Sequence, residues 1–227
     1  MMKTILTRTV STITATLLLL TPLYGVTEEA SSTGFLDPAI EAKLQKTKLP
    51  SGAEVQRWMS PELTKANYHA IMVDRVTFYP APNPGPQISS STLDQIVDYM
   101  TSDLRSKIGE KVKVTDKAGP GVLRMQAVLT AVTAKKEGLT AKDIIPVHLL
   151  FSAASAATGH MDMDVTAHLE VRVTDSMNGE YRAASKRKLT GEKLKNSKAQ
   201  IALKNLQKSL DSAINDGAES VGSGLGK

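Results

Sequence analysis

The strongest constraint on the fold is the segment 164–185, which reads DVTAHLEVRVTDSMNGEYRAAS. Its first half alternates apolar and polar residues, which is typical of a β-strand with one face on a core and the other in water. Asn178 and Gly179 tolerate the positive φ angles of a hairpin turn, so residues 181–188 are predicted to return antiparallel. A slip of one residue would expose the apolar face, and we therefore expect a fixed register. The apolar face consists of Val165, Ala167, Leu169, Val171 and Val173.

Residues 1–25 have the layout of a secretory signal peptide. Lys3 and Arg8 form a positive n-region, and residues 10–20 form an apolar h-region. The apolar run is short and rich in threonine for a membrane span. Export to the periplasm or the medium is therefore predicted, with an uncleaved anchor as the alternative. Val26 stands where an exported lipoprotein has its acylated cysteine, so no covalent lipid anchor is expected.

The mature chain is predicted to consist of a leader, one domain and a tail. Residues 26–69 lack sustained periodicity and are interpreted as a linker and an extended leader. In this leader the lone Trp58 is expected to plug one end of a core rather than to bind a ligand. Residues 70–221 form a single α+β domain, and the glycine-rich residues 222–227 form a flexible tail.

The periodicity of the domain predicts two helices and several strands. Apolar stripes at helical spacing predict helices over residues 92–108 and 198–216, with Gly217 ending the second. These elements predict an α+β two-layer sandwich, with a mainly antiparallel sheet of about five strands and two helices packed on one face. Besides the hairpin, strands are predicted at residues 70–79, 111–115 and 122–134.

The composition and the motifs argue against most kinds of catalysis. The chain has no cysteine, which excludes disulfides, thiolate metal sites and a catalytic cysteine. No Gly-x-Ser-x-Gly elbow, glycine-rich phosphate cradle or His-Glu-x-x-His motif occurs, and no cofactor is indicated. Asp74 and Arg75 point to opposite faces of a predicted strand, so a buried Asp74 would need another partner. We therefore do not expect an enzyme.

The segment 160–168, HMDMDVTAH, has some metal-binding character. On a strand, two imidazoles and two carboxylates would share one face and could hold zinc or manganese. The two histidines would be about 26 Å apart at 3.3 Å per residue, so one ion cannot contact both unless the backbone bends. A solvated strand face is favoured, and a periplasmic hydrolase or metal-dependent enzyme is the alternative. The four residues are His160, Asp162, Asp164 and His168.

Two further segments suggest surface contacts. Residues 139–163 are irregular and contain a small, apolar stretch at residues 149–159. They are interpreted as a buried excursion or a helical turn that covers the sheet edge, with a membrane-touching or partner-docking segment as the alternative. Residues 182–208 contain nine basic residues and one acid, which could bind anionic lipid head groups or an acidic polymer. A solvated helix face and a lysine-guarded edge strand are the favoured interpretation. Export argues against nucleic acid as a partner. The candidate residues for anionic-surface binding are Arg182, Lys186, Arg187, Lys188, Lys193, Lys195 and Lys198.

Four short motifs occur at Gly34-Phe35-Leu36, at Tyr68 ahead of residues 73–78, at residues 119–124, and in the turn Asp175…Asn178-Gly179-Glu180. Together they resemble the motifs of a bacterial family known as domain of unknown function 3313, which consists mostly of exported lipoproteins. The resemblance covers residues 34–218 and implies no established reaction and no catalytic residue. We expect an exported cell-envelope protein that acts as a non-enzymatic binding or assembly factor. Its partner would be an envelope protein or an anionic envelope surface, and its oligomeric state is not indicated.

Overall fold

The structure is a computed structural model that describes residues 34–82, 84–136, 163–195 and 198–225. Within these ranges the chain forms three helices and eight strands. In chain order they are α1 (Pro38–Glu41), β1 (Gln45–Lys48), β2 (Glu54–Met59), β3 (Ala70–Val73), β4 (Thr77–Phe78), α2 (Ser90–Gly109), β5 (Lys113–Val114), β6 (Val122–Lys136), β7 (Met163–Asp175), β8 (Tyr181–Thr190) and α3 (Leu203–Leu225).

The strands form one mixed sheet in the order β1-β2-β8-β7-β6-β3-β5, and β4 pairs with β6. The predicted α+β class is confirmed. The predicted sheet was too small, because it has eight strands within the described ranges instead of about five. The long ladders β6–β7 and β7–β8 are antiparallel, as predicted, but three short pairs are not. The pairs β3–β5, β3–β6 and β4–β6 are parallel. The physical reason is the crossover through α2, which brings the chain back in the same direction.

The predicted central hairpin is confirmed. β7 and β8 pair antiparallel, with Val171 opposite Ser185, and β6 pairs with the other edge of β7. In the turn, the Gly179 N–H donates to the Asp175 carbonyl at 3.0 Å. Gly179 has φ = 74°, a value that glycine adopts without a steric cost. The hairpin and β6 therefore form the centre of the sheet.

Helices α2 and α3 place their apolar stripes in the same buried cluster as the apolar face of β7. Ser89 is the N-cap of helix α2, and its hydroxyl accepts a hydrogen bond from the Thr92 N–H at 3.1 Å. Each large aliphatic side chain that this cluster buries contributes about 1.5–3 kcal/mol to the free energy of folding. The largest fully buried side chains on the helices are Ile96, Met100, Ile108, Leu206 and Leu210.

Helix α3 begins and ends later than predicted. The predicted helix covered residues 198–216 and ended at Gly217, whereas α3 continues through this glycine to Leu225. An added Cβ at Gly217 would lie 3.8 Å from Leu104 of α2, so the glycine faces the other helix. Leu225 is buried. The last turn of α3 thus includes part of the predicted tail, residues 222–227.

The predicted strand 70–79 is divided into β3 and β4. Between them, the Val76 N–H donates to the Thr101 hydroxyl of α2 at 3.0 Å instead of joining a strand ladder. We expected Asp74 to need a partner other than Arg75. This partner is Arg124, whose Nε donates to the Asp74 carboxylate at 2.9 Å. The division of the strand therefore follows from a contact with the helix.

The predicted leader contains two strands that the sequence analysis missed. β1 and β2 form a hairpin, and β2 pairs with β8 so that Arg57 lies opposite Ser185. Trp58 packs against the buried residues Leu36 and Ile40. Trp58 therefore packs in a small core, as predicted. The leader is thus an integral part of the sheet.

A glycine at the end of β8 allows a close approach to α3. An alanine Cβ at Gly191 would clash with the backbone oxygen of Asn205. We expect Gly191→Ala to lower the free energy of unfolding by about 1–3 kcal/mol in urea denaturation, because the backbone must shift. The control is Gly119→Ala, whose nearest contact would be an ordinary 3.8 Å. Equal stability of both variants would contradict the close approach.

Candidate functional site

The structure separates the seven predicted basic residues into two groups. Arg182, Lys186 and Arg187 are largely buried on β8, and each binds an acidic side chain. The predicted basic surface therefore loses these three members, because their charges are already compensated inside the protein. The exposed members are Lys188, Lys193, Lys195 and Lys198.

Arg182 holds together one end of the sheet. Its Nε donates to the Tyr68 hydroxyl at 2.6 Å, and its Nη2 lies 2.7 Å from Glu180 and 3.1 Å from Glu62. The Tyr68 hydroxyl in turn donates to Asp175 at 2.9 Å. The motif residues Tyr68, Asp175 and Glu180 thus meet in one network. Their arrangement anchors the β7–β8 turn to the segment before β3.

The network shifts the pKa values of its members. Burial raises the pKa of the Tyr68 phenol, although the hydrogen bond from Arg182 opposes this shift. Burial alone would raise the pKa of Asp175, but the Met177 N–H, the Tyr68 hydroxyl and the Arg182 charge lower it overall. The carboxylate of Asp175 is therefore more stable in the folded protein than in the unfolded chain.

The lowered pKa of Asp175 predicts an acid-dependent contribution to stability. A carboxyl whose pKa falls on folding stabilises the protein above its unfolded pKa of about 3.9, and this contribution is lost as the pH falls through the folded pKa. We expect Asp175→Asn to have a shallower decline in the free energy of unfolding below pH of about 4 than the wild type. The control is Asp94→Asn at an exposed position of α2. A decline in Asp175→Asn as steep as in the wild type would refute this assignment.

Lys186 connects the leader to the sheet through two ion pairs. Its Nζ lies 2.8 Å from Glu41 at the end of α1 and 3.6 Å from Glu170 of β7. The Glu170 side chain is fully buried, and the Thr130 hydroxyl donates to it at 3.3 Å. The face of β7 that we expected to be solvated is therefore covered here. Removing one member of a buried ion pair leaves the other charge without its compensation.

Because Lys186 is buried and Lys188 is exposed, we predict that substitutions at these two positions differ greatly in their effect on stability. We expect Lys186→Met to lower the free energy of unfolding by about 3–5 kcal/mol, because Glu170 remains buried without the opposing ammonium. Lys188→Met, at an exposed position of the same strand, should change it by no more than about 0.5 kcal/mol. Urea denaturation measures both. A small effect at both positions would mean that the ion pair does not hold the leader.

Arg187 lies on the opposite face of β8, towards α3. Its Nη1 is 2.8 Å from the Asp216 carboxylate of α3, and only 11% of each side chain is exposed. Its Nε is buried and has no hydrogen-bond partner among the described residues. Buried N–H groups nearly always have an acceptor. The unpaired Nε therefore marks Arg187 as a group with a free binding capacity.

This Arg187 forms part of a half-open groove of about 130 Å³ between α3 and the strands β2, β7 and β8. Val55, Arg57 and Met59 lie on one face of β2, because side chains alternate along a strand. On α3, small residues at spacings of three and four face the groove, so the helix leaves space above the sheet. These small residues are Gly217, Ser220 and Gly224.

The groove is mainly apolar and contains a few charged groups. Its charged lining side chains are Arg57, Arg187 and Asp216, which together give a net charge of +1. Arg57 is half-buried, and no side chain in the described ranges forms a hydrogen bond or an ion pair with it. The periodicity of the sequence identified neither Arg57 nor Arg187 as a residue of the groove. The signal that could have found the groove is the spacing of the small residues on α3.

A second cleft of about 490 Å³ lies on another part of the sheet. Residues of the family-like motifs line it, among them Phe35 and Asp74. Each of its charged lining groups already has a partner. Asp74 pairs with Arg124, Arg75 pairs with Asp98, and Arg105 pairs with Asp116. The second cleft therefore offers fewer free polar groups than the groove beside α3.

The predicted metal-binding segment lies mostly outside the described residues. His160 and Asp162 are not among them, whereas His168 belongs to β7, opposite Thr130 and Lys188. Residues 139–162 of the predicted apolar excursion also lie outside. Among the described residues, no group of three or more His, Asp or Glu is placed to hold a metal ion. The enzyme alternative thus stays a prediction.

None of the helices in the described ranges combines the length and the apolar character needed to cross a bilayer.

Comparison with known proteins confirms the resemblance that the motifs indicated. The family model of a protein of unknown function, DUF3313, matches residues 31–216, and the chain therefore belongs to the DUF3313 family. One relative is the uncharacterized lipoprotein YdcL of Escherichia coli (strain K12). It is 28% identical over 191 residues, which cover 84% of this chain and 85% of the relative. The relative is thus named as a lipoprotein.

Three solved structures show distant similarity. The PelC dodecamer from Paraburkholderia phytofirmans has a TM-score of 0.36 at 12% identity, covering 76% of this chain and 98% of the other. Protein XCC0632 from Xanthomonas campestris, of the family DUF330, has a TM-score of 0.39 at 8% identity, covering 74% and 89%. A putative neuraminyllactose-binding hemagglutinin homolog from Helicobacter pylori has a TM-score of 0.35 at 11% identity, covering 72% and 86%. At these scores the similarities do not extend to function.

Proposed function

We propose that this protein is a non-enzymatic binding protein of the cell envelope and that it binds its ligand in the groove beside α3. In this proposal residues 1–25 direct export, and α2 and α3 cover one face of the sheet. A lipoprotein relative supports the envelope location. The observation on which the proposal rests is the groove itself, an apolar space beside two arginines whose hydrogen-bonding capacity is not fully used.

The groove is smaller than most ligand sites, but its lining has the chemical character of one. Such sites are concave, mainly apolar, and contain a small number of polar groups that orient the ligand. Met59 lines the groove and is 41% exposed. A bound apolar ligand would cover this side chain and remove its surface from water.

The chemistry of the groove favours binding over catalysis. Arginine is not deprotonated in proteins, so Arg57 and Arg187 cannot act as general bases. Asp216 is engaged by Arg187. The Ser220 hydroxyl donates to the Asp216 carbonyl at 2.8 Å, and among the described residues that line the groove there is no histidine or glutamate to activate it.

A substitution that fills the groove tests the proposed function. We expect the uncharged fluorescent probe N-phenyl-1-naphthylamine to bind the wild type saturably and to bind Ser220→Leu at least about tenfold more weakly, a loss of about 1.4 kcal/mol. Ser223→Leu is the matched control. Ser223 is exposed, lies in the same part of α3, and also donates to a backbone carbonyl, that of Ser220 at 3.0 Å.

Both serine variants must first show the circular dichroism spectrum and thermal transition of the wild type. Unchanged probe affinity in Ser220→Leu would exclude the groove as the binding site. A wild type that does not bind the probe saturably would overturn the proposed function as a whole.

A further inference from the structure

We infer that the ligand of the groove is an aliphatic carboxylate, with its acyl chain along the apolar walls and its head group between Arg57 and Arg187. This inference rests on the proposed function and names the ligand class. It is drawn from the unpaired donors, the charge and the wall chemistry of the groove.

The first observation is the hydrogen bonding of Arg187. Asp216 engages one end of the guanidinium, whereas Nε at the other end is buried without an acceptor in the described part of the chain. Hydrogen bonds between a guanidinium and a carboxylate are among the strongest in proteins. A ligand carboxylate beside Nε would supply the acceptor that the protein itself does not provide.

The second observation is the position of Arg57. It lies opposite Ser185 in the antiparallel pairing of β2 with β8, so Arg187 is its diagonal neighbour on the same face of the sheet. Diagonal neighbours are roughly 7–8 Å apart, a distance that two long side chains can bridge towards one carboxylate. Arg57 has no partner among the described residues and is free to complete such a site.

The third observation is the charge of the groove. Two guanidinium groups and the Asp216 carboxylate leave a net charge of +1. One carboxylate neutralises this charge, whereas a phosphate monoester, with a charge of about −1.5 to −2 at neutral pH, exceeds it. An ammonium head group would add to it. The net charge of the groove therefore favours a singly charged anion over a doubly charged anion or a cation.

The fourth observation is the apolar character of the remaining walls. Val55, Met59 and Val221 line the groove, and Gly217 and Gly224 leave room beside them. A bound peptide would bring N–H and C=O groups against walls that offer few partners, and buried backbone groups need partners. An acyl chain has no such groups, and the burial of each methylene group favours binding.

Displacement of N-phenyl-1-naphthylamine by four ten-carbon amphiphiles tests the inference. We expect decanoate to displace the probe from the wild type at a concentration at least about tenfold lower than decanol, decyltrimethylammonium or decyl phosphate. In Arg57→Gln the ratio of decanoate to decanol affinity should fall towards one. Arg75→Gln, at an exposed arginine that is paired with Asp98 outside the groove, should keep the wild-type ratio.

The outcomes separate the ligand class from the proposed function. If the wild type binds the probe but decanol competes as well as decanoate, the groove remains a ligand site and the carboxylate assignment is wrong. Tighter binding of decyl phosphate would likewise overturn the assignment, in favour of a phosphate head group. If the probe does not bind at all, the proposed function fails, and the ligand class fails with it.

Discussion

Strand β7 has two different faces, and both must be covered for the protein to fold. One face is an apolar row that lies in the same buried cluster as the stripes of α2 and α3. The other face contains the fully buried Glu170, whose charge requires the nearby Lys186. An uncompensated carboxylate in this position would cost several kcal/mol. The leader meets this requirement because α1 brings Glu41 to the same lysine.

The alternation of side chains between the two faces of the sheet continues from β7 into β8. It explains which basic residues face α3 and which face the leader. From Ala183 onwards, residues at odd positions of β8, such as Arg187, face α3, whereas Lys186 and Ala184 face the leader. The β2 strand extends the sheet beyond the central hairpin. Beside β2, the small residues of α3 do not fill the space above the sheet, and the groove results. The groove therefore forms because β2 widens the sheet and because α3 has small side chains on the side that faces it.

Local patterns made much of the fold predictable. The β7–β8 hairpin, helix α2 and strand β6 have long periodic sequences, and the α+β class follows from them. β1 and β2 were missed because they have only four and six residues, too few for a clear alternation. The parallel pairing of β3 with β6 depends on contacts between distant segments. No local pattern contains that information.

The candidate site was less predictable than the fold, because burial of a charge depends on what covers it. Arg182, Lys186 and Arg187 stand in a basic segment that resembles a solvated surface, and their acidic partners come from distant parts of the chain, such as Glu41 and Asp216. Gly217, Ser220 and Gly224 did contain a signal, since their spacing places them on one side of α3. To infer a groove from this spacing, one must also know which strands lie opposite α3, and the local sequence does not contain that information.

The central claim, that the groove beside α3 binds a ligand, is tested most directly by methyl NMR of two methionines. Met59 lines the groove and is 41% exposed, whereas Met177 in the β7–β8 turn is 64% exposed and lies outside it. Titration with decanoate should shift the Met59 methyl signal saturably and leave the Met177 signal in place. Equal, non-saturating shifts of both signals, or no shift of Met59, would contradict the account.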